Sequence, residues 1–225
     1  RGLGDVYKRQ YLAFKLKDKF QDILIIEKSK VLGGRLCTKP VGSGMADYGC
    51  QYFSPKTDKL ASLVNMLKEK SIMKKIDMNS KKDVFISPYG MNKIPQYLSL
   101  GLSTLLNQKV SSIKKTSNQW EIKTNSFILK SKMLVLTMPI NQVNDLLKVS
   151  DLAIPDLPTA NYKSFYTITF QNMEAISPKP VVKNDFAPWI CNNLLKGLSI
   201  DQNTFTVNVN EELSNTLLKI EDNKK

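Results

Sequence analysis

Residues 22–39 read DILIIEKSKVLGGRLCTK, and four residues in this stretch could do chemistry together. Glu27 closes a run of branched and leucine residues, Gly33 and Gly34 follow, and Arg35 stands directly behind them. A carboxylate at the end of a buried strand is where dinucleotide-binding βαβ units accept hydrogen bonds from ribose hydroxyls. Paired glycines let the backbone approach a ligand closely and present amide donors. An arginine offers a planar fork that grips phosphate oxygens in pairs, where lysine offers a point charge. The chain has 33 basic residues and only three arginines, Arg1, Arg9 and Arg35, so the choice of arginine here has a physical reason. Taken alone, a glutamate at a strand end is usually just a solvated sheet edge.

Composition narrows the chemistry further. There is no histidine, which excludes Ser-His-Asp and Cys-His catalysis and histidine-ligated metals; in an enzyme something other than histidine must then do the chemistry, and a bound cofactor is the obvious candidate. Cys37, Cys50 and Cys191 are an odd set without C-x-x-C spacing, which argues against a disulfide framework or zinc and for a reducing, cytoplasmic compartment. The formal charge of +13 admits a second reading, a basic non-catalytic protein that binds nucleic acid or another polyanion. Polyanion binding wants a lysine stripe with interleaved aromatics, whereas these lysines are dispersed. The longest apolar runs are too short to span a membrane, and no signal peptide is visible.

The elements that must position these residues follow from periodicity. RGLGDVYKRQ (1–10) resembles a translated junction and is set aside. Tyr11–Phe20 reads as a helix through Leu12, Ala13 and Leu16, and Asp22–Glu27 as a parallel strand buried on both faces. Residues 28–56 read as an extended loop, and Leu60, Leu63, Val64 and Leu67 mark an amphipathic helix within Lys56–Ser71. A short strand at Asp83–Ile86 and a helix at Asn92–Leu100 come next. Lys109–Lys115, Gln119–Thr124 and Ser126–Leu129 form an antiparallel meander; Lys132–Thr137 is a second buried strand, and Asn141–Lys148 a helix. Strands at Phe165–Gln171, Ala187–Cys191 and Thr204–Val209 and a helix at Glu211–Ile220 complete the pattern. Among them Tyr162, Phe165, Tyr166 and Trp189 could line a pocket, although sheet core is the stronger reading.

The stretch from Ile23 to Lys39, with its acidic strand end and G-G-R loop, resembles flavoproteins of the amine-oxidase superfamily. ADYGCQYFS (Ala46–Ser54) and YGMNKIPQYL (Tyr89–Leu98) are similar to motifs of its renalase-like branch. The resemblance covers about residues 11–148 and is loose beyond. It implies a Rossmann-like α/β FAD-binding domain of the glutathione-reductase type (11–54 and 89–148). With it would come an α+β antiparallel-sheet substrate domain (55–88 and 149–225). FAD would be held non-covalently. Glu27, with its neighbour Lys28, would hold the adenosine ribose; Gly33, Gly34 and Arg35 would face the pyrophosphate; Val110 would lie beside the adenine. Asp47, Gly49, Gln51 and Tyr52 would approach the flavin ring or its ribityl chain, and Met91–Ile94 would begin a helix near the cofactor. No catalytic residue and no metal is implied. The activity implied is hydride transfer from a reduced nicotinamide dinucleotide isomer or an amine to flavin N5, with reoxidation by dioxygen. Two family features are not found, a G-x-G-x-x-G turn before Glu27 and a late G-D helix start, so the chain is expected to be truncated at both ends.

Overall fold

The computed structural model describes residues 8–78, 82–163, 165–174, 179–198 and 202–222. Residues 1–7, with Arg1 and the G-L-G of Gly2–Gly4, lie outside them. In chain order the first elements are α1 (Lys8–Leu16), β1 (Leu24–Ile26), β2 (Thr38–Val41), β3 (Gly44–Asp47) and α2 (Asp58–Glu69). Then come β4 (Lys74–Ile76), β5 (Val84–Ile86), α3 (Lys93–Leu98), β6 (Ser103–Leu105), β7 (Val110–Lys115), β8 (Trp120–Thr124), β9 (Ile128–Ser131) and α4 (Ile140–Val149). The last are β10 (Thr167–Asn172), β11 (Val181–Val182), β12 (Trp189–Asn192), α5 (Asn193–Lys196), β13 (Asn203–Asn208) and α6 (Glu211–Asp222). The architecture is a mixture of helices and small sheets, divided into two compact units: residues 1–34 with 98–161, and residues 35–97 with 162–225.

In the first unit β1 pairs in parallel with β6, Ile25 opposite Thr104. The meander β7-β8-β9 is antiparallel, with an irregularity between Val110 and Ser112. Beyond that irregularity the Ile113 N–H finds the Ser150 hydroxyl at 2.9 Å, at the end of α4. Val143, Leu146 and Leu147 of α4 bury against Ile113 and Ile122 of the meander. Burying each such side chain stabilises by roughly 1.5–3 kcal/mol, and this is the unit's core.

Three expectations change here. The strand at 22–27 shrinks to three residues with β6 as its neighbour, and Leu24 is exposed. The run Lys132–Thr137 is not a strand: Leu134 and Leu136 pack on the meander core while Met133 and Val135 face outward. An apolar run without a ladder partner on its outer side keeps the period-2 alternation but buries one face only. Helix α1 starts three residues before the periodic stretch, taking in Lys8, Arg9 and Gln10, and buries Gln10 and Ala13.

In the second unit, residues read as loop form the hairpin β2–β3, turned at Gly42 with φ +58. A side chain there would meet Gln171 Oε1, which accepts the Ser43 N–H at 3.1 Å. Thr57 caps α2, its hydroxyl accepting the Leu60 N–H at 3.3 Å, and Leu63, Val64 and Leu67 bury as their spacing predicts. β4 and β5 pair, and Phe53 bridges to Phe85. The larger sheet runs β10-β13-β12-β11, antiparallel throughout. The β2–β3 hairpin is tied to it by hydroxyls: Thr204 donates to Met45 O and Thr206 to Asp47 O, at 2.5 and 2.7 Å.

Candidate functional site

In the first unit the turn after β1 is fixed by backbone bonds. The Glu27 N–H donates to Leu105 O at 2.8 Å, and Gln108 N–H returns to Glu27 O at 2.9 Å. This places the Glu27 side chain in an interior corner, where it is buried. Its Oε1 accepts the Ser29 N–H at 2.9 Å and its Oε2 the Arg9 guanidinium at 2.8 Å. Arg9 Nη1 also donates to Ile26 O at 2.6 Å, and its Nε to the Thr137 hydroxyl at 3.2 Å. A buried carboxylate must be matched by donors, and these supply them.

Gly33 and Gly34 adopt φ +140 and +54, conformations that side chains resist. Gly33, Gly34, Glu27 and Thr137 line one small cavity of about 40 Å³ with Lys8, Arg9 and Gln10 from the first turn of α1. The sequence-predicted Glu27, Gly33 and Gly34 are thus brought together. Lys28 is exposed. Val110 opens β7 two residues after Gln108 and packs half-buried with Ile26 on the meander core.

The other sequence-predicted residues, Arg35, Asp47, Gly49, Gln51 and Tyr52, belong to the second unit. Asp47 is fully buried, and every oxygen is engaged. Its Oδ1 accepts the Thr38 hydroxyl at 2.6 Å and the Met91 N–H at 2.9 Å; its Oδ2 meets the Lys196 ammonium at 2.6 Å. Lys196 is itself fully buried and reaches Gln51 Oε1 at 3.4 Å. Gln51 Nε2 donates back to Asp47 O at 2.5 Å and to Gly49 O at 3.2 Å. Asn193 Oδ1 accepts the Asp47 N–H at 3.4 Å, while its amide nitrogen donates to Thr204 O and the Thr206 hydroxyl.

Gly49 has a steric reason. A Cβ there would lie 2.1 Å from Arg35 O, which accepts the Cys50 N–H at 2.7 Å, and 2.6 Å from Cys37 Sγ. The Arg35 backbone is thereby locked against residues 49–50, while the residue itself is exposed. Tyr52 is half-buried, its ring 5.5 Å from that of Trp189. Trp189 Nε1 is buried and finds no hydrogen-bond acceptor among the described residues. Of the other candidate pocket aromatics, Tyr162 and Phe165 are exposed, which overturns the sheet-core reading for them.

All three thiols surround this network and are held protonated. Burial pushes Cys37 and Cys191 up to about 11 and Cys50 to about 12. Tyr48 is also raised, by burial and then by its neighbour Cys37. Lys196, Asn193 and Thr206 carry no mark in the sequence as site residues. The Asn192 cap, which accepts from Leu194 N and Leu195 N, and the left-handed Gly197 at the end of α5 were the available signal. They announce a short helix ending in Lys196, though not that the lysine points inward.

No protein-family model matches the chain, and no curated protein matches it. Among solved structures it is similar to a candidate protoporphyrinogen oxidase from Exiguobacterium sp. 255-15, with TM-score 0.42 and 15% identity. The match covers 56% of this chain and 30% of that one, so the chain spans under a third of that protein's length.

Proposed function

We propose that the chain is part of an FAD-dependent oxidoreductase of the amine-oxidase superfamily, on its renalase-like side. The observation that carries the reading is the corner in the first unit, where a buried carboxylate at the end of a parallel strand shares one cavity with two adjacent glycines. The donor and acceptor types fit an adenosine ribose and a phosphate in kind: one carboxylate acceptor, backbone amides at left-handed glycines, and an arginine directly following. The cavity is the size of a small polar group, with room for a part of the dinucleotide only.

In this reading Glu27 orients the ribose, Gly33 and Gly34 admit the pyrophosphate against the backbone, and Arg35 grips its oxygens. Val110 borders the adenine. In the second unit Asp47, Gly49 and Gln51 shape the segment that carries Tyr52, the residue this reading assigns to the flavin. When bound, the flavin supplies a hydride acceptor for a reduced nicotinamide dinucleotide isomer or an amine. The protein's part is to hold the donor carbon in line and keep water away, which needs no histidine base.

FAD titration followed by quenching of flavin fluorescence tests this. Arg35→Ala should weaken binding about tenfold, as expected for losing a charge-assisted hydrogen bond. FAD left free by the chain refutes the reading.

A further inference from the structure

Arg9 is the charged side chain that engages the Glu27 carboxylate, and nothing in the proposed function uses it. Its guanidinium satisfies three acceptors at once: Glu27 Oε2, Ile26 O and Thr137 Oγ1. The carboxylate oxygen it covers is the one the Ser29 N–H leaves open. Donors on one planar group, aimed at the strand-end carboxylate, are a chemical counterpart of ribose hydroxyls. The Arg9 side chain retains 30% exposure whereas Glu27 retains 6%, so the arginine can swing outward while the carboxylate stays.

We propose that Arg9 is an internal occupant of the ribose acceptor, competing with an adenine dinucleotide for Glu27. The inference rests on the reading of Glu27 as the ribose-binding residue. The competent state is the one with Arg9 withdrawn, and apparent affinity is the intrinsic affinity scaled by the fraction of chains in that state. A latch of one partly exposed, charge-assisted contact set holds about nine chains in ten closed.

The test titrates FAD into the full chain and its Arg9→Met, Arg9→Lys, Glu27→Gln and Arg9→Met/Glu27→Gln variants, with far-UV circular dichroism confirming that each is folded. Arg9→Met keeps the length of the side chain without its donors and should bind FAD about tenfold more tightly. Arg9→Lys, which keeps the charge but loses the fork, should fall between, and it carries the test should Arg9→Met fail to fold. The gain should vanish when Glu27→Gln is added, because the competition is for that carboxylate. Unchanged or weaker binding by Arg9→Met, or a gain that survives in the double variant, overturns the competition and leaves the proposed function standing. Failure of every chain to bind FAD removes both.

Discussion

Lys196→Met puts the buried polar network of the second unit under the sharpest test. The lysine and Asp47 are both fully buried and meet at 2.6 Å, with Gln51 Oε1 the ammonium's other neighbour at 3.4 Å. Methionine fills much of the same volume, so packing is nearly conserved and the change isolates charge. Removing one member of a buried ion pair leaves the other uncompensated and costs about 3–5 kcal/mol. Asp47 would keep the Thr38 hydroxyl and Met91 N–H on Oδ1, which places the loss toward the lower end, about 3 kcal/mol. That is a large share of the roughly 5–15 kcal/mol that holds a domain folded. Adding Asp47→Asn removes the stranded charge, retains an acceptor for Thr38 and Met91, and aims a neutral amide toward Gln51. The double variant should recover about 2 kcal/mol. Urea unfolding followed by tryptophan fluorescence reads this as a shift in midpoint at constant slope. A single-variant loss below about 1 kcal/mol, the level of an exposed pair, or losses that simply add in the double variant, would refute the reasoning.

Gly49→Ala should destabilise by about 3 kcal/mol, since its Cβ would lie 2.1 Å from a backbone carbonyl that cannot yield. At Gly34, where φ is +54 and nothing lies within 4 Å, alanine should cost about 1 kcal/mol of strain only; equal losses at the two sites would contradict the steric account. The thiols give a pH window. Unfolded thiols ionise near 9.0, while Cys37 and Cys191 hold their protons to about 11 and Cys50 to about 12. In that interval the unfolded chain binds fewer protons, so the thiol contribution is complete below pH 9 and is lost as pH rises through 11 to 12. Cys50→Ala should flatten the alkaline decline of the urea midpoint, and an unchanged slope would show that burial is not what holds that thiol protonated.

The period read from the sequence is followed in the amphipathic helix after Lys56 and in part in α1, which ends at Leu16 and leaves Leu12 exposed. α2 buries Leu63, Val64 and Leu67, which its spacing selects, α4 forms where a helix is expected, and the meander strands lie within a residue or two of their expected places. The hairpin β2–β3 escaped because T-K-P-V is too short to show alternation and Gly42 and Gly44 read as loop. Its pairing is decided at a distance, by Thr204 and Thr206. The strand expected at 132–137 failed for the opposite reason: its composition is that of a strand, but pairing partners are a tertiary property. Lys196 could not be found at all, because one buried lysine among many solvated ones leaves no local trace; only the caps of α5 mark the place.

The D-Y-G-C-Q-Y stretch (Asp47–Tyr52) has a different meaning once its contacts are known. The resemblance read from this stretch carries the expectation that each residue in it approaches a ligand. Asp47 and Gln51 are turned inward, one spent on Thr38, Met91 and Lys196 and the other on the carbonyls of Asp47 and Gly49. Gly49 is there so that Arg35 O can reach the Cys50 N–H. What these residues shape is the backbone path that leaves Arg35 exposed and Tyr52 half-buried beside Trp189. The spacing is then explained by the carboxylate, glycine and amide each closing one bond of the same internal frame. Substitutions at Asp47, Gly49 or Gln51 should act first on the stability of this frame. Arg35 enters the same frame through its carbonyl, which accepts the Cys50 N–H, so that bond should persist when the Arg35 side chain is replaced.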